Sequence, residues 1–221
     1  AGQILKARYW AAAMNHFHTI RLLTDVWEQD SKWRQKPLIK LGFPTVFSKT
    51  VNEQARIRNV SPYLIFAVIR QESSFRPNAK SPAEAMGLMQ LIPLTAKEVA
   101  NRLSWKGALQ IPDQVMNPQT NIRFGTYYLS RMLAAFDGHT PLALAAYNAG
   151  IGRMRRWLRS RSGLSELQSQ DDEPWSEVWI DELPWQETRK YVKSILRNYL
   201  IYRMLYETPK FQPGKPLWKS S

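Results

Sequence analysis

Glu72 is the residue of this chain whose type and position best suit acid–base chemistry. It follows an apolar run at 63–69 and lies in the segment Arg-Gln-Glu-Ser-Ser-Phe at 70–75. A carboxyl group at the rim of a buried helix stays protonated near neutral pH, because burial disfavours its charged form. Such a group can donate a proton to the leaving oxygen of a sugar, which points toward cleavage of a glycan. A solvated glutamate at a helix end is the alternative that this segment alone leaves open.

The sequence around Glu72 favours a raised pKa for its carboxyl group. At helical spacing Glu72 continues the apolar stripe of Ile65 and Ile69. It also lies at the negative end of its own helix, which disfavours a further negative charge. Arg70 points to a different side of that helix and Arg76 lies beyond its end, so we expect no cation paired with the carboxylate.

Two short motifs after Glu72 combine small residues with polar ones. In Gly-Leu-Met-Gln at 87–90, the glycine permits a ligand to approach the main chain closely. Met89 offers an adaptable apolar contact, and Gln90 offers a donor and an acceptor. In Ala-Tyr-Asn-Ala-Gly at 146–150, the tyrosine and the asparagine can orient a carboxyl group or an N-acetyl group. The alternative for the first motif is a helix boundary with core packing. For the second it is a capping Asn-Ala-Gly turn with a core tyrosine, which is compatible with the functional role.

Capping signals and periodicity predict an almost entirely helical chain. Ser61 and Pro62 form a clear helix start, because serine caps a first turn and proline fits within it. Thr95 and Glu98 have the spacing of a capping box. Predicted helices span 3–35 (as one or two), 61–73, 95–103, 121–136, 140–150 and 187–206. Predicted connections span 37–44, 104–119 and 159–174, and no strand pattern of any length occurs in the sequence.

The composition suits a folded domain with an anionic partner. The chain has 221 residues, of which 44% are hydrophobic, enough for one domain with or without an appendage. It has no cysteine and three scattered histidines, so we expect no disulfide, metal or cofactor. The formal charge of +13 favours nucleic acid, acidic lipid or an acidic wall polymer without choosing among them. No apolar stretch approaches the roughly 20 residues that a membrane span needs.

Taken together, the motifs resemble the soluble lytic murein transglycosylases, an Slt-type family of lysozyme-like fold that cuts bacterial peptidoglycan. The resemblance runs from about residue 50 to residue 206, and its four blocks occur in family order. The first block is Glu-Ser-Ser-Phe from 72, continuing through Pro77, Ala79 and Ser81, and the second is Gly-Leu-Met-Gln from 87, then Pro93 and Thr95-Ala96. The third block comprises Asn121-Ile122, Gly125 and Tyr128-Leu129, and leads to Ala-Ala-Tyr-Asn-Ala-Gly from 145. The fourth block is Leu183-Pro184, followed by 187–189 and 191–192.

The resemblance implies a mostly α fold, with a lysozyme-like α-helical catalytic domain preceded by a short α-helical segment. We expect this segment at 1–50 as the end of a longer N-terminal helical region. The catalytic domain is expected at 51–209, and an extended tail at 210–221. Family members often have glycine where this chain has Glu84, and proline where it has Ile151.

The resemblance also assigns roles to individual residues. Glu72 is expected to be the sole catalytic residue, acting as acid and then as base, with no metal or cofactor. Tyr147 is the residue expected to hold Glu72 in place. The glycan groove is expected to be lined by Ser81, Met89, Gln90, Tyr147, Asn148, Glu187 and Tyr191.

The implied activity is cleavage of the β-1,4 bond between N-acetylmuramic acid and N-acetylglucosamine without water, giving 1,6-anhydromuramic ends. Peptidoglycan glycan strands are the expected partner, with no nucleic acid and no membrane span, and with room for association with other cell-wall enzymes. The substrate implies a periplasmic location, although no signal peptide is visible. Three alternatives stay open, namely a goose-type lysozyme-like hydrolase, a non-catalytic wall-binding domain, and a nucleic-acid binder using the arginine-rich stretch at 153–161.

Overall fold

The computed structural model of this chain describes residues 2–160 and 178–207, and α-helices dominate both ranges. The helices are α1 (Gly2–Ala12), α2 (His16–Gln29), α3 (Lys36–Gly42), α4 (Ser48–Arg58), α5 (Pro62–Ser73), α6 (Pro93–Arg102), α7 (Asp113–Met116), α8 (Pro118–Ala135), α9 (Thr140–Ala149), α10 (Ile151–Ser160), α11 (Val178–Glu182) and α12 (Gln186–Tyr206). The extended pairings found in these ranges are two isolated bridges, Lys80 to Met86 and Met86 to Leu91. The predicted mostly α class is confirmed.

Two predicted segments fall largely or wholly outside the described residues. They are the polar connection at 159–174, of which the structure describes the first two positions, and the tail at 210–221. Within the described ranges, no helix is both long enough and apolar enough to cross a membrane.

Helix α5 forms the centre of the molecule. Its residues 64–69 are all buried, as expected for a helix that is apolar on every side. It begins after Ser61 and ends because Ser74 and Phe75 take left-handed φ values of 49° and 64°. The last helix, α12, packs along both α5 and α9. The predicted helix around 62–73 is confirmed, and it carries Glu72 in its final turn.

Prolines account for three differences between the prediction and the structure. Pro37 begins α3 where the sequence predicts a connection. Pro93 begins α6 two residues before Thr95, so the predicted capping box does not start that helix. Pro118 begins α8 within the predicted connection at 104–119, which also holds the short α7. In α3, α6 and α8 proline occupies the first turn, where a backbone N–H has no hydrogen-bond partner within the helix, so its absence in proline costs nothing.

Residues 42–44 join the first three helices to the rest of the chain. The Arg70 Nε group of α5 donates a hydrogen bond to the Gly42 carbonyl oxygen at 2.9 Å. From α12, the Tyr202 hydroxyl donates to the Pro44 carbonyl oxygen at 2.9 Å. The Tyr206 hydroxyl donates to the neighbouring Phe43 carbonyl oxygen at 2.8 Å. The first and last parts of the chain therefore share polar contacts, and a domain boundary at residue 50 stays a prediction.

Replacement of Tyr202 by phenylalanine should destabilise the fold. The side chain is fully buried, so loss of its hydroxyl leaves the Pro44 carbonyl oxygen without that donor. We expect the free energy of unfolding to fall by about 1–2 kcal/mol in urea denaturation. Tyr9→Phe is the control, because Tyr9 is 67% exposed, and it should change stability by less than about 0.5 kcal/mol. Equal stabilities for the two variants would contradict this role.

Candidate active site

Glu72 and Tyr191 form the central contact of the site. Glu72 is half-buried on α5, and the Tyr191 hydroxyl on α12 donates a hydrogen bond to Glu72 Oε1 at 2.6 Å. Burial raises the pKa of Glu72 to about 7, while the bond from Tyr191 opposes the rise and the charge of Glu187 adds to it. The raised pKa expected from the sequence is confirmed. At neutral pH a large share of this carboxyl group is protonated.

The two arginines near Glu72 in sequence are engaged elsewhere. Arg70 is half-buried, and its guanidinium donates to the Gly42 carbonyl oxygen at 2.9 Å and to Asn198 Oδ1 at 3.2 Å. Arg76 lies over the ring of Phe17, 4.3 Å from its centroid. Both positions agree with the expectation that neither cation pairs with Glu72, so burial is free to dominate its pKa.

The loop at 87–90 is held beside α5 by the side chain of Asn121. Asn121 Oδ1 accepts from the Met89 N–H at 2.7 Å, and Asn121 Nδ2 donates to the Met86 carbonyl oxygen at 3.0 Å. Gly87 has a φ of +77°, and a Cβ atom there would lie 2.3 Å from Asn121 Nδ2. The absence of a side chain at Gly87 therefore makes room for the Asn121 side chain. The sequence alone had suggested that this space admits a ligand.

Two hydroxyl groups secure the same loop from either side. Ser73 Oγ, adjacent to Glu72 in the chain, donates to the Leu88 carbonyl oxygen at 2.9 Å. The Tyr147 hydroxyl donates to the Met89 carbonyl oxygen at 2.9 Å. The sequence predicts that Tyr147 holds Glu72, but a hydroxyl has one proton to donate and this one is directed to Met89. The structure gives the contact with Glu72 to Tyr191.

Met89 is placed differently from its expected position on a groove surface. Its side chain is fully buried, and a Cβ atom on Gly125 would lie 2.4 Å from its sulfur. Gly125 in α8 therefore makes the space that the Met89 side chain fills. What Met89 presents near the site is its main chain, which Asn121 and Tyr147 hold from two directions.

Ser81 and Gln90 use their polar groups within the protein. Ser81 Oγ accepts from the Ala85 N–H at 3.1 Å and so closes the turn at 81–85. Gln90 Nε2 donates to the Gly87 carbonyl oxygen at 2.9 Å and thereby braces its own loop. Both residues shape the wall near the site, and a glycan-binding role for them stays a prediction.

Glu84 occupies a backbone conformation that suits glycine. Its φ is +60°, in the left-handed region that side chains disfavour. The glycine that the resemblance leads one to expect here would adopt this φ without strain. The Glu84 side chain is exposed and lies 3.3 Å from Lys80 Nζ, so the added charge is partly matched at the surface.

The other side of the site joins α9 to α12. Thr188 Oγ1 donates to Asn148 Oδ1 at 2.7 Å, which fixes the end of α9 against the first turn of α12. Asn148 is half-buried and Glu187 is exposed, so both face accessible surface. The rings of Tyr128 and Tyr147 meet edge to face, with their centroids 5.1 Å apart. Of the predicted site residues, the structure thus brings Tyr191 together with Glu72, and Asn148 together with the helical turn that holds Glu187.

Three buried polar residues hold the site although the sequence reading gave them no role. Ser73, Asn121 and Thr188 are each at most 3% exposed. One signal was available, since Asn121 shares a helical stripe with Gly125 and Leu129, where an apolar residue is expected. A polar side chain on such a stripe is expected to be hydrogen-bonded to buried partners.

The histidines do not converge on a metal centre. Among residues 2–160 and 178–207, no three histidine, aspartate or glutamate side chains are grouped as ligands for an ion. His139 Nδ1 accepts from the Leu142 N–H and caps α9, while His16 lies edge-on to Phe75.

Comparison with known families connects this geometry to a described group of proteins. The transglycosylase SLT domain matches residues 49–169, which is more than half of the 221 residues. The chain belongs to the transglycosylase SLT domain family. The matched region includes α5 with Glu72, the loop at 87–90 and the end of α9.

Individual relatives extend the similarity of this SLT domain protein. A soluble lytic murein transglycosylase of Salmonella typhimurium is 35% identical over 164 residues, covering 73% of this chain and 23% of the relative. The X-ray structure of an inactive glutamate-to-glutamine mutant of lytic transglycosylase Slt from Pseudomonas aeruginosa aligns with a TM-score of 0.75 and 33% identity, covering 96% of this chain and 31% of that one.

The crystal structure of the 70 kDa soluble lytic transglycosylase from Escherichia coli aligns with a TM-score of 0.77 and 28% identity, covering 97% of this chain and 31% of that one. The expected lysozyme-like α-helical fold of this SLT domain protein is thereby confirmed. The chain spans about a quarter of the length of the curated relatives and about a third of the solved ones.

The Tyr191 hydroxyl should tune the pKa of Glu72, whereas the Tyr147 hydroxyl should not. In Tyr191→Phe the carboxylate loses its donor, so the pKa of Glu72 should rise above the wild-type value of about 7. In Tyr147→Phe the lost bond goes to the Met89 carbonyl, and the pKa should stay close to wild type. Titration of a ¹³C-labelled Glu72 carboxyl group by NMR measures both. If the pKa of Glu72 rose in Tyr147→Phe and not in Tyr191→Phe, the residue that holds Glu72 would be Tyr147.

Proposed function

We propose that this chain is the catalytic part of a peptidoglycan lytic transglycosylase, with Glu72 as its single acid and base. The observation that carries the proposal is a carboxyl group with a pKa of about 7, buried at the end of α5 and oriented by Tyr191. Membership of the SLT domain family and the names of the murein transglycosylase relatives support the substrate class. In the Pseudomonas aeruginosa relative, a glutamate-to-glutamine change accompanies an inactive protein.

The first chemical step is proton donation. Protonated Glu72 gives its proton to the oxygen between N-acetylmuramic acid and N-acetylglucosamine, and the bond from that oxygen to the anomeric carbon breaks. The N-acetyl group of the muramic acid stabilises the positive charge that develops at this carbon. A second carboxylate is the usual device for this purpose in glycosidases, and the substrate's own amide replaces it here.

The second step returns the proton to Glu72. The carboxylate, still held by Tyr191, removes the proton from the C6 hydroxyl of the same muramic acid. The C6 oxygen then bonds to the anomeric carbon, which gives a 1,6-anhydro ring and leaves Glu72 protonated for another cycle. No water enters the product, and every proton that Glu72 donates is recovered.

The remaining site residues form two groups: those that expose polar groups to a ligand and those whose polar groups are hydrogen-bonded within the protein. In this proposal the glycan binds between the 87–90 loop and the first turn of α12, where it contacts Asn148, Glu187 and the exposed edge of Glu72. The exposure of Glu187 and the partial exposure of Asn148 support this. Tyr191 orients the acid directly. In this proposal Ser81, Met89, Gln90 and Tyr147 contribute mainly by fixing the wall of the groove. A wall polymer as substrate also fits a periplasmic location and contact with other cell-wall enzymes.

Replacement of Glu72 by glutamine should abolish turnover while preserving the fold, because an amide cannot donate the required proton. We expect activity on purified peptidoglycan to fall at least about a hundredfold, measured by mass spectrometry of released muropeptides. Wild-type products should be one water lighter than hydrolysis products and should lack a reducing end. Glu53→Gln makes the same change at an exposed glutamate of α4 and should leave activity intact.

The outcomes of that experiment separate the candidates. Wild-type-like turnover by Glu72→Gln would refute the role of this acid. Products with reducing ends would assign a lysozyme-like hydrolase on the same fold, in which water attacks the anomeric carbon. Binding without any product from the wild-type chain would assign a wall-binding domain.

The activity should fall as the pH rises through about 7. A general acid works only when protonated, and a pKa of about 7 leaves roughly one tenth of Glu72 protonated at pH 8. We therefore expect the rate to fall about fivefold between pH 7 and pH 8 and close to tenfold for each further pH unit. The measurement is a pH–rate profile of anhydromuropeptide release at constant ionic strength. In Tyr191→Phe the alkaline limb should shift to higher pH, and an unmoved limb would mean that another group controls it.

A further inference from the structure

Helix α10 presents two contrasting faces directly after the end of α9. Its apolar face is formed by the fully buried Met154, with Ile151, Trp157 and Leu158 packed against the main core. Its other face carries arginines and no acidic residue. The exposed arginines of this basic face are Arg153, Arg155, Arg156 and Arg159.

Within the part of the chain that the structure describes, no ion pair neutralises the charges of the basic face. The ion pairs formed by residues 2–160 and 178–207 lie elsewhere, and none includes an arginine of α10. Like charges three and four residues apart on a helix repel one another. A face that retains four of them within ten residues is therefore favourable for an anionic ligand, which would relieve the repulsion.

The basic face adjoins the candidate active site through Trp185. The Arg153 guanidinium lies over the Trp185 ring, 4.4 Å from its centroid, and the ring centroids of Trp157 and Trp185 are 6.4 Å apart. Trp185 immediately precedes α12, whose first turn holds Glu187 and the Thr188 that binds Asn148. The arginines thus continue the same wall of the site outward, past the residues placed to meet the glycan.

We propose that the basic face of α10 binds the carboxylates of the peptide stems carried by the glycan strand. Arg153 and Trp185 form the boundary between the sugar site and this surface, and Arg155, Arg156 and Arg159 extend it. The inference rests on the proposed function, because a strand bound at Glu72 brings its stems alongside. Guanidinium groups suit such a ligand, since their planar donors pair with both oxygens of a carboxylate.

The test compares binding of two forms of one glycan. All proteins carry Glu72→Gln so that no strand is consumed, and the ligands are peptide-bearing strands and the same strands after enzymatic removal of their stems. The α10 variant adds Arg155→Gln, Arg156→Gln and Arg159→Gln. The control variant adds Arg8→Gln, Arg21→Gln and Arg56→Gln, which removes the same charge from exposed positions of α1, α2 and α4.

The α10 variant should bind peptide-bearing strands about tenfold more weakly than its parent, and this difference should shrink as salt is raised. Its affinity for peptide-free strands should change less than twofold. The control variant should keep the parent's preference for peptide-bearing strands. A further variant with Arg155→Lys, Arg156→Lys and Arg159→Lys keeps the charge and should recover part of the loss.

Other results would overturn the inference. An equal loss for both kinds of strand, or the same loss in the control variant, would mean that net charge alone attracts the polymer. A loss confined to duplex DNA or to anionic phosphatidylglycerol vesicles would assign the surface to a different partner. Failure of the proposed function is visible separately, as absence of anhydromuropeptides from the wild-type chain, whatever the binding comparison gives.

Discussion

A carboxyl group that remains protonated near pH 7 has to be kept from water and from cations, and much of this structure meets that requirement. Residues 64–69 of α5 are buried on every side of the helix, so Glu72 in its last turn lies at the rim of the core. Arg70 is held away by partners in α3 and α12. Among the described residues, the side-chain hydrogen bond to Glu72 comes from the neutral hydroxyl of Tyr191, which orients the carboxyl group without adding charge.

The polar groups around the site form a scaffold in which nearly every donor is already assigned. Three main-chain carbonyl oxygens of the 86–89 segment accept hydrogen bonds from side chains: that of residue 86 from Asn121, that of residue 88 from Ser73 and that of residue 89 from Tyr147. These bonds are buried, where the loss of one is costly, so the loop has little freedom to move when a ligand arrives. Rigidity of this kind matters to a one-residue mechanism, because the same carboxyl oxygen atoms must be correctly placed for two proton transfers.

The sequence predicts most of the longer helices and the raised pKa of Glu72, but it predicts neither α3 nor the contacts between the helices. Ser61 and Pro62 define the start of α5, and its apolar composition predicts the burial that raises the pKa of Glu72. The sequence did not show which of Tyr147 and Tyr191 donates to Glu72, because both side chains are buried and each donates to a different acceptor. Pairings over 58 and 119 positions follow from helix packing, which periodicity within one segment does not encode.

The order in which the chain is synthesised gives the Glu72–Tyr191 contact one more consequence. Translation produces α5 before α12, and α12, the last described helix, contributes the donor hydroxyl and covers α5. The same helix supplies the hydroxyls that bind residues 43 and 44. A nascent chain that ends before α12 has the acid in its sequence without the enclosure that makes it an acid at neutral pH. The proposed activity should therefore depend on α12 having been synthesised and packed against α5.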